Sequence, residues 1–194
     1  MDRRFLYGGL LVVAGVGLVR ALAGRAPHIQ AGETRLLLVG DSLAVGLSTP
    51  FKDMAQKSNV AFASLAKVGT RMDQWAKNAD LTTALTTFQP TLILVSLGTN
   101  DASMLPASAM SIATPALTTL LARLRATGAE VVWIGPPTLP AAKSPQVLDL
   151  IRSTLDKKHS FPSEQLVIPR GPDQLHPALK GYVGWAELVW KWLT

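Results

Sequence analysis

Five short apolar runs, separated by longer stretches with helical spacing, leave this chain few folds to choose from. The runs are residues 35–39, 60–65, 91–97, 130–134 and 166–168. Each is strand-sized and lacks polar alternation, the pattern of strands buried on both faces of a parallel sheet. Helical spacing marks 43–57, 72–88, 107–126 and 145–158, and 177–192 closes the chain. Gly128 stops the third helix, and Pro90 and Pro136-Pro137 punctuate element ends. The alternation predicts an α/β fold, a three-layer α/β/α sandwich on a five-stranded parallel sheet. At 194 residues the chain has room for one such domain and not for two.

The first 24 residues differ in kind from the rest. A basic start, Met1-Asp2-Arg3-Arg4, precedes fifteen uncharged residues at 5–19, then Arg20 and Ala21-Leu22-Ala23. Residues 1–24 therefore read as a signal peptide or an N-terminal membrane anchor. The run is short for a full span of about 20 residues, and Ala21-Leu22-Ala23 suits cleavage. Arg20 is awkward there, while its snorkelling would suit an anchor lying over residues 5–23. Both outcomes stay open, and both place the domain outside the cytoplasm, periplasmic or secreted. Residues 25–34 read as a linker and 35–194 as the folded domain.

Composition narrows the chemistry. With 48% hydrophobic and 16% charged residues, global disorder is excluded. Cysteine is absent, which removes disulfides, thiol nucleophiles, iron–sulfur clusters and cysteine-based zinc sites. Only His28, His159 and His176 remain as imidazoles. They are far apart in sequence and include no close pair, so a histidine-rich zinc centre is not expected. The net charge of +6 falls to +4 without the leader, from 16 basic and 12 acidic residues, and no basic cluster marks a nucleic-acid partner.

In a sheet of this kind ligands sit at the carboxyl ends of the strands. The first run leads into Gly40-Asp41-Ser42-Leu43, the second into Lys67-Val68-Gly69-Thr70 and the third into Gly98-Thr99-Asn100-Asp101. After the fifth comes Gly171-Pro172-Asp173-Gln174-Leu175-His176-Pro177. A serine hydroxyl attacks an acyl carbon only when a base takes its proton and a third group orients that base. His28 lies in the linker and His159 at a helix end, so His176 is the base by elimination. Asp173, three residues earlier, can reach the ring nitrogen facing away from serine. An oxyanion needs donors. Ser42 offers its amide at a helix start, Gly69 an unobstructed amide, and Asn100 a carboxamide.

These four blocks resemble the signature blocks of the SGNH hydrolases, also called GDSL-type esterases and lipases. They occur in family order and span most of the chain after the leader. The resemblance implies a flavodoxin-like sandwich with Ser42 as nucleophile, His176 as general base then acid, and Asp173 as its partner. It implies Ser42, Gly69 and Asn100 as oxyanion donors, and hydrolysis of esters or thioesters without metal or cofactor. Gln174 stands where the family often has glycine. Asp41 and Asp101 read as structural carboxylates, and Ser42 could by itself be a plain helix cap. Trp185, Trp190 and Trp192 are candidates for a membrane-interface or sugar-stacking surface, but their spacing on a closing helix reads rather as core packing.

Short connections leave little chain for a lid. They point to small acyl groups on an accessible substrate, such as acetyl esters of a cell-envelope polysaccharide. A lysophospholipase or thioesterase, an acyltransferase, and a binding module without catalysis stay open beside this reading.

Overall fold

A computed structural model describes residues 27–139 and 142–194 of the chain. The segment read as a signal or anchor therefore lies outside the described residues. Four parallel strands, β1 (Arg35–Gly40), β2 (Ala61–Ala66), β3 (Leu92–Ser96) and β4 (Glu130–Trp133), form one sheet in the order β2-β1-β3-β4. The helices are α1 (Ser42–Lys57), α2 (Met72–Trp75), α3 (Ala79–Phe88), α4 (Thr99–Ala102), α5 (Pro106–Arg125), α6 (Gln146–Thr154) and α7 (Leu179–Leu193).

Alternate residues of the central strands feed two separate cores. Leu36, Leu38, Leu92 and Leu94 face Leu43, Leu47 and Phe51 of α1 and Trp185, Val189 and Trp192 of α7. Leu37, Val39, Ile93 and Val95 face α5 and α6 on the other side, together with Met72 and Trp75 of α2 and Leu81 and Leu85 of α3. Period-two burial on both faces is why these strands carry no polar alternation. Trp185 and Trp192 of α7 pack inward, and Trp190 is half-buried beside Phe51. Trp185 is buried and donates to Ser163 Oγ at 2.8 Å, and Trp192 stacks edge-on to Phe161.

Two expectations are corrected. The run 166–168 forms no strand, so the sheet has four strands rather than five. Its place at the β4 edge is taken by 159–161: Trp133 donates to the His159 carbonyl, and Phe161 donates to the Trp133 carbonyl, both at 2.8 Å. Ser163 Oγ takes the next carbonyl, that of Ile134. With the edge occupied and Pro169 unable to donate, Val167 is left fully exposed. The single helix expected over 72–88 is two. Asn78 caps α3 by accepting from the Leu81 amide at 2.8 Å, and a residue in that conformation ends the preceding turn.

Part of the segment read as a linker packs on the domain. Ile29 is buried and its amide donates to the Leu193 carbonyl at 2.9 Å, while Gly32 donates to Asn59. This contact lies at the carboxyl end of α7. His176 lies just before the amino end of α7, a helix length or about 22 Å away. Among the described residues no helix is long and apolar enough to cross a membrane.

Candidate active site

Strands β1 and β3 are neighbours, and β2 and β4 flank them on opposite sides. The chain thus changes direction across the sheet between β1 and β3, the place where loops part and ligands bind. Ser42 and Asn100 follow those two strands. The turn after β1 is tight because a Cβ on Gly40 would lie 2.2 Å from the Ser96 carbonyl oxygen, and Asp41 donates to that same carbonyl.

Asp41, not Ser42, caps α1. Its Oδ1 accepts from the Leu43 amide at 2.9 Å, which leaves the Ser42 hydroxyl free of capping. That hydroxyl lies 2.9 Å from His176 Nε2, and His176 Nδ1 lies 2.5 Å from Asp173 Oδ2. Asp173 Oδ1 also accepts from the amides of Leu175 and His176. These bonds, the imidazole's first, hold the Asp173 carboxyl down at about 2. An ionised carboxylate on Nδ1 selects the tautomer whose Nε2 is a bare acceptor towards serine.

Two of the three expected oxyanion groups come from neighbouring loops that hold each other. Asn100 Nδ2 donates to the Thr70 carbonyl at 2.9 Å, beside Gly69, which turns at φ +75°. The second hydrogen of Nδ2 has a long contact of 3.4 Å to Asp41 Oδ2, weak enough to yield to a better acceptor. The Ser42 and Gly69 amides have no partner among the described residues.

Two buried carboxyls support these loops. Asp101 accepts from the Met72 amide at 3.1 Å, tying the start of α2 to the loop after β3. Burial pushes Asp101 up to about 6 and Asp41 up to about 7, against the pull of the amides they accept from. The structural reading of both carboxylates agrees with these contacts.

The remaining imidazoles stand elsewhere. His28 is exposed. His159 repeats the spacing of the last block, with Nδ1 2.8 Å from Asp156 Oδ1, but its Nε2 meets Glu130 at 2.9 Å rather than a hydroxyl. Among the described residues no cluster of histidine, aspartate and glutamate is arranged to hold a metal ion.

Three contributors escaped the reading of the sequence. Arg170 donates to the carbonyls of Leu175 and Thr138 and so closes the loop that carries Asp173 and His176. Thr70 is held from both sides, by the Trp75 indole on its hydroxyl and by Asn100 on its carbonyl. Tyr182 lies against Gly46 of α1, where a Cβ would meet its ring at 2.2 Å. Burial and the Asp41 and Asp173 charges push its phenol up to about 12. The one available signal was a glycine one turn after Ser42 in an otherwise regular helix.

The GDSL-like Lipase/Acylhydrolase family matches residues 38–183. No curated protein matches the sequence. Among solved structures, the psychrotrophic esterase EstA from Pseudoalteromonas sp. is 18% identical with a TM-score of 0.64, over 82% of this chain and 96% of that one. TesA is 22% identical with a TM-score of 0.61, over 82% and 98%. A GDSL-like lipase from Bacteroides thetaiotaomicron is 14% identical with a TM-score of 0.59, over 94% and 96%. These likenesses bear on the fold, and the family match, which covers three quarters of the chain, bears on the chemistry. The chain belongs to the GDSL-like lipase/acylhydrolase family, and it is an ester-hydrolysing serine hydrolase.

Proposed function

We propose that this protein removes short acyl groups, acetyl above all, from accessible esters of a cell-envelope polysaccharide. Ser42 is the nucleophile, His176 the base and then the acid, and Asp173 its orienter. One observation carries the reading: the unbroken row from Ser42 Oγ through the imidazole to Asp173, at 2.9 and 2.5 Å. In the first half-reaction Ser42 Oγ attacks the ester carbon while Nε2 takes its proton. The amides of Ser42 and Gly69 and the carboxamide of Asn100 meet the oxyanion. The imidazolium returns the proton to the departing alcohol, and water then repeats the sequence on the acyl-enzyme.

The preference for short acyl groups rests on openness. The side chains of His176 and Asp173 are 36% and 52% exposed. The described cavity beside Trp133, Pro136 and Ile151 includes neither Ser42 nor His176. The leader supports an extracytoplasmic site of action, with membrane attachment through residues 5–23 if it is retained.

A panel of p-nitrophenyl esters of rising chain length, run with fluorophosphonate labelling, tests this reading. Acetate is turned over fastest, wild-type protein labels at Ser42, and Ser42→Ala does neither. His176→Ala lowers kcat by about 10³-fold or more. A preference for eight or more carbons would favour the lysophospholipase or thioesterase reading. Absence of labelling would favour a binding module, and product on an added acceptor alcohol an acyltransferase.

A further inference from the structure

The α1–α7 shoulder beside His176 carries an apolar surface that the reaction chemistry does not explain. A Cβ on Gly46 would lie 2.2, 2.3 and 2.6 Å from Cζ, Cε1 and Cε2 of Tyr182. Three ring carbons at nearly equal distance mean that the phenol ring lies face-on over Gly46, one helical turn after Ser42. Leu179 and Val183, three before and one after Tyr182 on α7, are 80% and 38% exposed. Only six large apolar side chains are exposed among the described residues, and two of them, Leu179 and Val183, lie one turn apart on the same face of α7. Scattered apolar residues need no explanation, whereas a cluster at a reactive centre does.

The direction of proton transfer says which part of a substrate would lie there. His176 Nε2 must reach the leaving oxygen, so the alcohol extends on the imidazole side, away from Gly69 and Asn100. Leu179 follows His176 by three residues and opens α7, the helix that packs on α1 through Tyr182 and Gly46. Resting on the esterase reading above, we propose that Tyr182, Leu179 and Val183 form the leaving-group subsite, which takes the flat CH face of a cyclic alcohol, a pyranose ring. An open shoulder covers one side of its guest only. That suits a ring with one apolar face and a hydroxylated rim, and suits poorly an alkyl chain that must be covered all round.

The test compares cyclohexyl acetate with isopropyl acetate, two secondary alcohols of similar leaving-group acidity. The wild-type protein prefers the cyclohexyl ester in kcat/KM by about tenfold, the size expected for three added methylenes covered on one side. Leu179→Ser and Tyr182→Leu bring the ratio towards one, while Val167→Ser, an exposed apolar site outside both helices, keeps it. An acetylated methyl pyranoside loses the same factor in the same two variants. A ratio near one in the wild type, or one that survives both variants, overturns the subsite. A loss confined to the cyclohexyl ester overturns the pyranose assignment. Absence of turnover on all three esters together with absent fluorophosphonate labelling overturns the nucleophile, and the subsite falls with it.

Discussion

Asp41 does the capping that would otherwise fall to the nucleophile, and the cost appears in its titration. The carboxyl is fully buried and pushed up to about 7, against an ordinary value of 3.8. A carboxyl whose folded value is raised binds its proton more tightly in the native state than in the unfolded chain. Stability is therefore greatest below about 4 as far as this group is concerned, and it falls as pH rises towards 7. Asp101, pushed up to about 6, acts in the same direction. Asp41→Asn keeps an oxygen for the Leu43 amide and removes the titration. Urea unfolding of that variant loses stability less steeply between pH 4 and 7 than wild-type protein does, and an unchanged slope would refute the assignment. Ser42, Gly69, Asn100, Asp173 and His176 were legible because each sits in a short block directly after a run or within a proline-bounded loop. Arg170 and Thr70 were not, because they act through carbonyls, which leave no trace in side-chain spacing. Gln174, standing where glycine is frequent, adopts φ +57° and keeps the loop's turn without it.

Among the elements, α1 and α7 set the separation of nucleophile and base, since Ser42 begins one and His176 precedes the other. Gly46 lets them approach. Glycine within a helix ordinarily costs about 1 kcal/mol relative to alanine, so Gly46→Ala should stabilise if only propensity counted. Here the added methyl meets the Tyr182 ring at 2.2 Å, and overpacking of that kind costs about 1–3 kcal/mol. Gly46→Ala is thus net destabilising in urea unfolding, and its kcat falls as the helices separate. A stabilised variant would show that the ring moves aside freely. The same element boundaries show where periodicity reaches its limit. The helices over 43–57 and 107–126 were read within a residue or so of α1 and α5, both long and amphipathic. The break at Asn78 and the loss of the fifth strand were not, because a local cap and an edge already occupied by 159–161 outweigh an apolar pattern only a few residues long.

For the whole molecule, the strand order does what no single motif can. Placing β3 beside β1 brings the loops after Gly40 and Ser96 together, and with them Ser42 and Asn100. Sequence patterning marked the strands as buried on both faces, which holds for β1, β3 and β4 but not for the edge strand β2, and it held no information on their order, which follows from which helices pack on which face. The two cores on either side of the sheet share no residues. Ile29 extends the α1–α7 core beyond the sheet, and Ile29→Ala lowers unfolding free energy by about 2 kcal/mol. An effect near zero in denaturant titration would mean that this strand of backbone is only laid on the surface. The bond from Ile29 to Leu193 also sets the molecule's polarity. Pro27 and Thr194 both lie near the pole opposite the serine, so anything joined through either residue would leave the hydrolytic mouth facing outward.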